Sequence, residues 1–473
     1  MNRRTLFQMV AGGAAAGLAS KREMAAQETA ARATRGMPSP RIKDVSVITT
    51  QPAGVRLNVV KVTTDQAGLY GYGCATFTQR ADLVTPAVEK YLRPLLLGRP
   101  ADRIDDTWQM MYNSSYWRNG PVLNNAISGV DEALWDIKGR QAGMPVYQLL
   151  GGKLREGAEM LGGASGATAS EVIDNLRQGM ARGFRIFRVN MGGGGGGARG
   201  GARGGARGGA AGRGGARGGG AAAAPGRGGA RAPGALIDGQ VYDPAPNLRR
   251  LHELFAAIRK EMGFEVGLAN DMHERYPVQM AVPFVKECEQ YRLSFLEDPL
   301  SPEDIAWFRQ IRAQCTTPIA MGELFNSPHE WMPLISERLI DYIRIHVSQA
   351  GGVTPCRKIA ILGELFGVKT AWHGPGDVSP VGHMAQLHLD LASYNFGFQE
   401  GGNITGVSAE IFKGCATFKD GYLFANDSPG WGIEVDEKLA AKYPFGANEQ
   451  GARGQLNGGW GDVRLRDGTI IKQ

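Results

Sequence analysis

The chain has no apolar run long enough to cross a bilayer and no pairable cysteine framework, and over one long stretch it has neither an aromatic nor an acidic residue. A spanning helix needs about 20 consecutive apolar residues. The nearest candidate, MVAGGAAAGLAS near the N-terminus, is short and rich in Ala and Gly, so no membrane partner is expected. The 5 cysteines (74, 288, 315, 356 and 415) are odd in number and contain no CxxC, which argues against a disulfide scaffold and a structural zinc site. What is present, 43% hydrophobic and 21% charged residues over 473 positions, is the composition of a globular protein of two or three domains.

The stretch without aromatics or acids runs from 192 to 234 and is built almost entirely of Gly, Ala and Arg. It has no apolar periodicity and cannot bury a core, so it reads as a disordered insert. Its arginines are 199, 203, 207, 213, 217, 227 and 231; these 7 account for the whole net charge, since 7 − 7 leaves zero for the rest. Arginine-glycine repeats that bind nucleic acid interleave aromatics for base stacking. None occurs here, so a tolerated loop expansion is the expectation and nucleic acid is not an expected partner.

At the start, Arg3 and Arg4 precede the short apolar run. The pair resembles a twin-arginine export signal, so residues 1–35 are set aside from the fold and a periplasmic location is expected; a cytoplasmic tail is the alternative.

Beyond the insert, short apolar runs recur and each ends in polar residues. FEVGLAND closes on Asp271, LSFLED carries Glu297, PIAMGE closes on Glu323, DYIRIH carries Arg344 and His346, VKTAWHG carries His373, and NFGFQE closes on Glu400. Successive markers from Asp271, Glu297, Glu323, Arg344 and His373 to Glu400 are spaced 26, 26, 21, 29 and 27. A strand, a loop and a helix need about that many residues, so the pattern predicts a βα repeat closing into a barrel. FRIFRVN and EMLGGASG are further strands of the set. Residues 41–80 alternate as short strands and 81–150 read as helices. The expected fold is therefore α/β: a modified (β/α)8-type TIM barrel over 156–415, an N-terminal α+β capping domain over 36–155, and a C-terminal segment, 416–473, returning to the cap.

In such barrels the chemistry sits at the C-terminal strand ends. Asp271, Glu297 and Glu323 close three consecutive strands there. Three converging carboxylates do not all stay ionised in a cleft without a cation, and an all-oxygen donor set favours Mg²⁺. Alternation along a strand also puts Asp271 and His273 on one face.

These segments (D-x-H-x-R, FLEDP, GELF, RIHVSQAGGVT, AWHGPGDVSPVGH, NFGFQE, with YWRNGP and ALWDIKGRQAGMPVYQLLGG upstream) resemble the mannonate dehydratase branch of the enolase superfamily, over about 41–190 and 240–470. The resemblance implies a Mg²⁺-dependent lyase that removes the proton α to a sugar-acid carboxylate and eliminates the 3-hydroxyl, and it implies a homo-oligomer. Residue by residue, Asp271, Glu297 and Glu323 match the metal ligands. His273 matches the acid that meets the leaving hydroxyl. Arg344, His373, Asp377 and Glu400 match substrate contacts, and Arg188 matches an arginine that assists the base.

Three positions depart from that pattern. The tyrosine base of the loop after the second barrel strand is missing where the insert stands, and Tyr242 is the next tyrosine. Gly163 replaces an expected histidine, and Thr78 an expected asparagine. A His373–Asp377 pair is then a candidate base, since a carboxylate can orient an imidazole and raise its basicity. A non-catalytic metal-dependent binding or sensing protein, or an enolase-type racemase or epimerase, stands as the alternative function.

Overall fold

The computed structural model describes residues 38–191, 240–376, 378–446 and 463–471. The leader, the Gly/Ala/Arg insert and Asp377 lie outside them. The N-terminal unit opens with an antiparallel sheet of β1 (Ile42–Thr50), β2 (Leu57–Thr64) and β3 (Tyr70–Cys74), in that order. Helix α1 (Ile104–Asn113) and the long α2 (Pro121–Ala142) follow. α2 lies directly on β3, and glycine permits the approach. A Cβ on Gly73 would stand 2.1 Å from the carbonyl oxygen of Gly129, and one on Gly71 would stand 2.2 Å from that of Ala133.

The second unit is a parallel barrel. Its strands are β4 (Leu161–Gly166), β5 (Ile186–Met191), β6 (Gly267–Asp271), β7 (Phe295–Glu297), β8 (Ile319–Met321), β9 (Tyr342–Ile343) and β10 (Lys369–Thr370), each paired with the next. Residues 396–399 close it. Phe396 bridges Thr370 on one side and Gln399 bridges Met160 on the other, both parallel. The eighth position is thus a seam made of bridges. Residues 158–166 form two strands where the sequence suggests one: Ala158–Glu159 pairs antiparallel with Tyr422 and Leu423, and only Leu161–Gly166 joins the barrel. A pairing so distant in the chain leaves no local signal.

The barrel interior is filled by side chains at one height. Leu161, Ala269, Phe295, Ala320, Ala371 and Phe398 form a buried cluster, with Phe295 and Phe398 stacked at 4.8 Å. Residues one layer further along the strands therefore line the mouth.

The cap is tied over that mouth by hydrogen bonds to the loops after β8 and β9. Asn124 donates to the carbonyls of Asn326 (2.9 Å) and Gln349 (2.7 Å), and Trp108 donates to that of Gly351 (2.8 Å). Asp131, fully buried, accepts from the Thr354 amide at 2.9 Å. The C-terminal segment returns to the cap: Trp431 donates to the Tyr72 and Glu132 carbonyls, and Glu437 pairs with Lys61 at 2.5 Å. The last described stretch does otherwise, with Val463 and Arg464 pairing beside Gln240 and Val241. Among the described residues no helix is long and apolar enough to cross a membrane.

Candidate active site

Every marker residue that falls among the described residues arrives at the C-terminal end of the barrel. Arg188 lies within β5, two residues beyond Ile186 of the inner layer, and pairs in register with Ala269 of that layer. Asp271 and Glu297 end β6 and β7 side by side. Glu323 follows β8, Arg344 follows β9, His373 follows β10, and Glu400 follows the seam.

Two arginines tie the acids together. Arg344, completely buried, donates Nε to Glu297 Oε1 at 2.8 Å, Nη2 to Glu400 Oε2 at 2.7 Å and Nη1 to the Ala371 carbonyl. Arg188 donates Nη2 to Glu400 Oε1, and its Nε stands 3.4 Å from Glu297 Oε2. Its Nη1 is 3.8 Å from Asp271 Oδ2. Charges buried this deeply persist only when paired. Burial works against Glu400, yet Arg188, Arg344, His373 and the Gly374 amide together hold its carboxyl well below the usual range.

The other half of the site centres on Glu323. His373 Nε2 lies 3.1 Å from Glu323 Oε2, and His273 Nε2 lies 3.5 Å from Oε1. Burial pulls the His373 imidazole down, but the Glu323 charge and hydrogen bond more than offset it and lift the ring to about 9. Glu323 responds in the opposite sense: burial pushes its carboxyl up, and the two imidazoles and Arg344 hold it low. His346 packs 5.5 Å from the His373 ring and 2.9 Å from the Ser348 hydroxyl; burial and the His373 charge push it down to about 3.

Two features modify the expectations from sequence. Asp271 and His273 share the site, but not through strand alternation: β6 stops at Asp271, and His273 and Glu274 are both left-handed, with φ of 52° and 58°. Among the described residues His373 is paired with Glu323; the expected His373–Asp377 pair falls on Asp377, which lies outside the described residues. Tyr242 is engaged elsewhere: Asn247 donates to its hydroxyl (2.7 Å), and its ring meets Tyr276 edge-on.

Sequence reasoning missed Asp298. Alternation would turn it away from Glu297, but a left-handed φ of 40° redirects it. Glu297, Asp298 and Glu323 bring carboxylate oxygens within 4.8 Å of one another. Asp271 stands outside that tight group. Asp298 accepts from the Gly322 amide through Oδ1 at 3.2 Å, whereas its Oδ2 and Asp271 Oδ1 are buried without a hydrogen-bond partner among the described residues. Burial and the neighbouring Glu323, Glu297, Glu274 and Asp271 push the Asp298 carboxyl far up. Unpartnered buried oxygens, an excess of acid and the absence of nitrogen or sulfur donors among these carboxylates fit a hard divalent cation. Two surface crevices, one of about 170 Å³ lined by Arg357, Ile361 and Glu364 among others and one of about 240 Å³ beside Glu289 and Arg292, contain none of these residues.

A capped parallel barrel with carboxylates at consecutive strand ends defines a member of the enolase superfamily, and the family models agree. The mandelate racemase / muconate lactonizing enzyme N-terminal domain matches residues 30–151, and the enolase C-terminal domain-like family matches 171–439. The chain belongs more narrowly to the D-galactonate dehydratase family. It is 47% identical over 435 residues to a family member from Salmonella enteritidis, covering 91% of this chain and 98% of that one. It is 46% identical to another from Pantoea ananatis, covering 91% and 98%. A crystal structure of an enolase from Pantoea ananatis with bound D-gluconate and Mg superposes with a TM-score of 0.80 at 43% identity, over 92% of this chain and 100% of that one.

Proposed function

We propose that this chain is a Mg²⁺-dependent sugar-acid dehydratase, acting on a mannonate- or gluconate-like acid to give a 2-keto-3-deoxy acid. The observation that carries the reading is the convergence of acid oxygens, two arginines and two imidazoles at one barrel mouth. The dehydratase relatives and the gluconate-bound neighbour support it. Glu297 and Glu323, with Asp271 or Asp298 beside them, would hold the cation. When bound, Mg²⁺ bears part of the negative charge that builds on the substrate carboxylate as the α-proton leaves.

The chain's own residues do the rest. Arg344 and Arg188 hold the Glu297 and Glu400 carboxylates in place by paired N–H donors. His373, held by its contact with Glu323 at 3.1 Å, is placed to hydrogen-bond a substrate oxygen. His273 is left to move the proton. Its imidazole takes the proton from C2. The electron pair forms the C2–C3 double bond as the C3–O bond breaks, and the same imidazole returns the proton to the leaving hydroxyl. Water departs and the enol tautomerises to the ketone. One group serving both transfers requires elimination from one face, so the stereochemistry is expected to be syn.

The test is a screen of the Mg²⁺-loaded protein against C5 and C6 aldonic and uronic acids, reading 2-keto-3-deoxy acid formation, with Glu297→Gln as control. Product that disappears in the control supports a lyase. A second reading, a metal-dependent hydroxy-acid binding protein, is favoured by the insert standing where the family's base loop would be. Binding of the same acids without turnover would establish it. The Arg3–Arg4 leader is proposed to direct export; a double Lys replacement that leaves the protein in the periplasmic fraction would refute that.

A further inference from the structure

The segment AWHGPGDVSPVGH ends on a histidine that the reaction above does not use. His383 lies in helix α3 (Pro380–Ala392), and Gln386 stands three residues further on, on the same helix face. Both side chains are buried, at 4% and 1% exposure. Their hydrogen bonds leave the helix for two consecutive carbonyls at the barrel mouth. Gln386 donates Nε2 to the carbonyl of His373 at 2.8 Å, and His383 Nε2 stands 3.0 Å from the carbonyl of Gly374. A carbonyl only accepts, so Nε2 of His383 carries a proton. The Gly374 amide in turn donates to Glu400 Oε2 at 3.0 Å. Two glycines show how closely this junction is packed. A Cβ on Gly374 would stand 2.4 Å from the Glu400 carbonyl oxygen and 2.5 Å from Gln386 Oε1. One on Gly401, which is left-handed with φ of 67°, would stand 2.0 Å from the Gly374 carbonyl oxygen and 2.7 Å from His383 Nε2. The loop that carries His373 and the seam that carries Glu400 thus meet backbone to backbone, and α3 holds the junction with two side chains.

Resting on the dehydratase reading, we propose that His383 and Gln386 are positioning residues for substrate binding: together they clamp the His373–Gly374 peptide, and through it they set the aim of the His373 imidazole and the Glu400 carboxylate. Neither belongs to the carboxylate group of Glu297, Asp298 and Glu323, so the clamp acts on the substrate side of the site and not on the cation. The His373 ring leaves the chain at one end of the clamped peptide and reaches Glu323 through Nε2 at 3.1 Å. Turning the peptide swings that ring, and a displacement of about 1 Å at a substrate contact costs on the order of 10²-fold. A helix that needed only to be packed would be served by apolar side chains, without the desolvation of a buried amide and imidazole. Here the two polar groups are matched, donor for acceptor, to the two carbonyls that bracket the site loop.

The experiment measures, by calorimetry on the full-length, Mg²⁺-loaded chain, the half-saturating concentrations of D-gluconate and D-mannonate, as binding heat or, where turnover occurs, as KM. It compares the wild type with His383→Gln, His383→Leu and Gln386→Met. Gln brings an N–H to where Nε2 stands, whereas Leu and Met keep apolar bulk and remove the donor. His383→Leu and Gln386→Met should each raise the half-saturating concentration by about tenfold or more and leave Mg²⁺ affinity within about twofold, while His383→Gln stays within about threefold of the wild type. Thermal unfolding checks that each variant folds, and Gln386→Met carries the comparison if His383→Leu does not. Unchanged half-saturation without the donors, an equal loss of Mg²⁺ affinity, or a His383→Gln as weak as His383→Leu would overturn the clamp while leaving the dehydratase reading standing. A wild type that binds neither acid would overturn both.

Discussion

At the scale of single residues, the site separates proton carriers by their partners. His373 is lifted by Glu323, whereas His346, two residues from Arg344, is pushed down. If His273 moves the proton, His273→Asn abolishes both dehydration and exchange of the C2 proton with deuterated solvent, by about 10²–10⁴-fold. His373→Asn should weaken substrate binding yet keep measurable exchange by NMR. Equal loss of exchange in both variants would remove the assignment.

A second prediction concerns His388, which is far from this chemistry. Its ring is fully buried and its Nδ1 accepts from the Tyr147 amide at 3.1 Å, with Trp431 edge-on at 5.3 Å. Burial, then the Lys153 charge, push it down to about 3. The unfolded chain takes up a proton at this residue below about 6.5 while the folded chain does not. Its contribution is therefore complete above that pH and is lost as pH falls toward 3. The slope is at most about 1.4 kcal/mol per pH unit. Urea unfolding between pH 7.5 and 5 should show a shallower fall for His388→Gln than for the wild type.

Single residues also mark where the sequence stopped being readable. Glu297, Glu323 and Arg344 were legible because each ends an apolar run at a repeating pitch. Asp298 was not, because its inward turn depends on a left-handed backbone that an Asp before Pro does not announce. The same is true of His273 and Glu274, whose positive φ values replace the strand geometry that alternation assumes.

At the scale of elements, α2 lies directly on β3. There the glycines of YGYGC serve close approach rather than a turn, and the alternation of that segment reported the strand without reporting its neighbour. Gly73→Ala would drive a methyl group to 2.1 Å from a helix carbonyl. Overpacking of this kind costs about 1–3 kcal/mol, so the variant should unfold at clearly lower urea; an unchanged midpoint would mean that α2 is free to shift. The barrel strands were legible for the opposite reason, since each carries its signal locally. The split of 158–166 was not, because its partner lies at 422–423.

At the scale of the whole molecule, the +7 charge belongs to one segment. Removing residues 192–234 deletes 7 arginines and no acid, leaving a formally neutral body. Such a deletion should lose retention on a cation exchanger at neutral pH while keeping the wild-type unfolding profile. A deleted protein that still binds the resin would locate a basic face on the folded body.

The seam has a consequence of its own. The eighth barrel position is held by two bridges rather than a full ladder, and the residue directly after it, Glu400, is gripped from either side by Arg188 of β5 and by Arg344 beyond β9. The charges that serve the substrate are thus also the latch of the barrel. Amide hydrogen exchange should be faster at 396–399 than in β5, and an anion that draws the two arginines away from Glu400 should quicken it further.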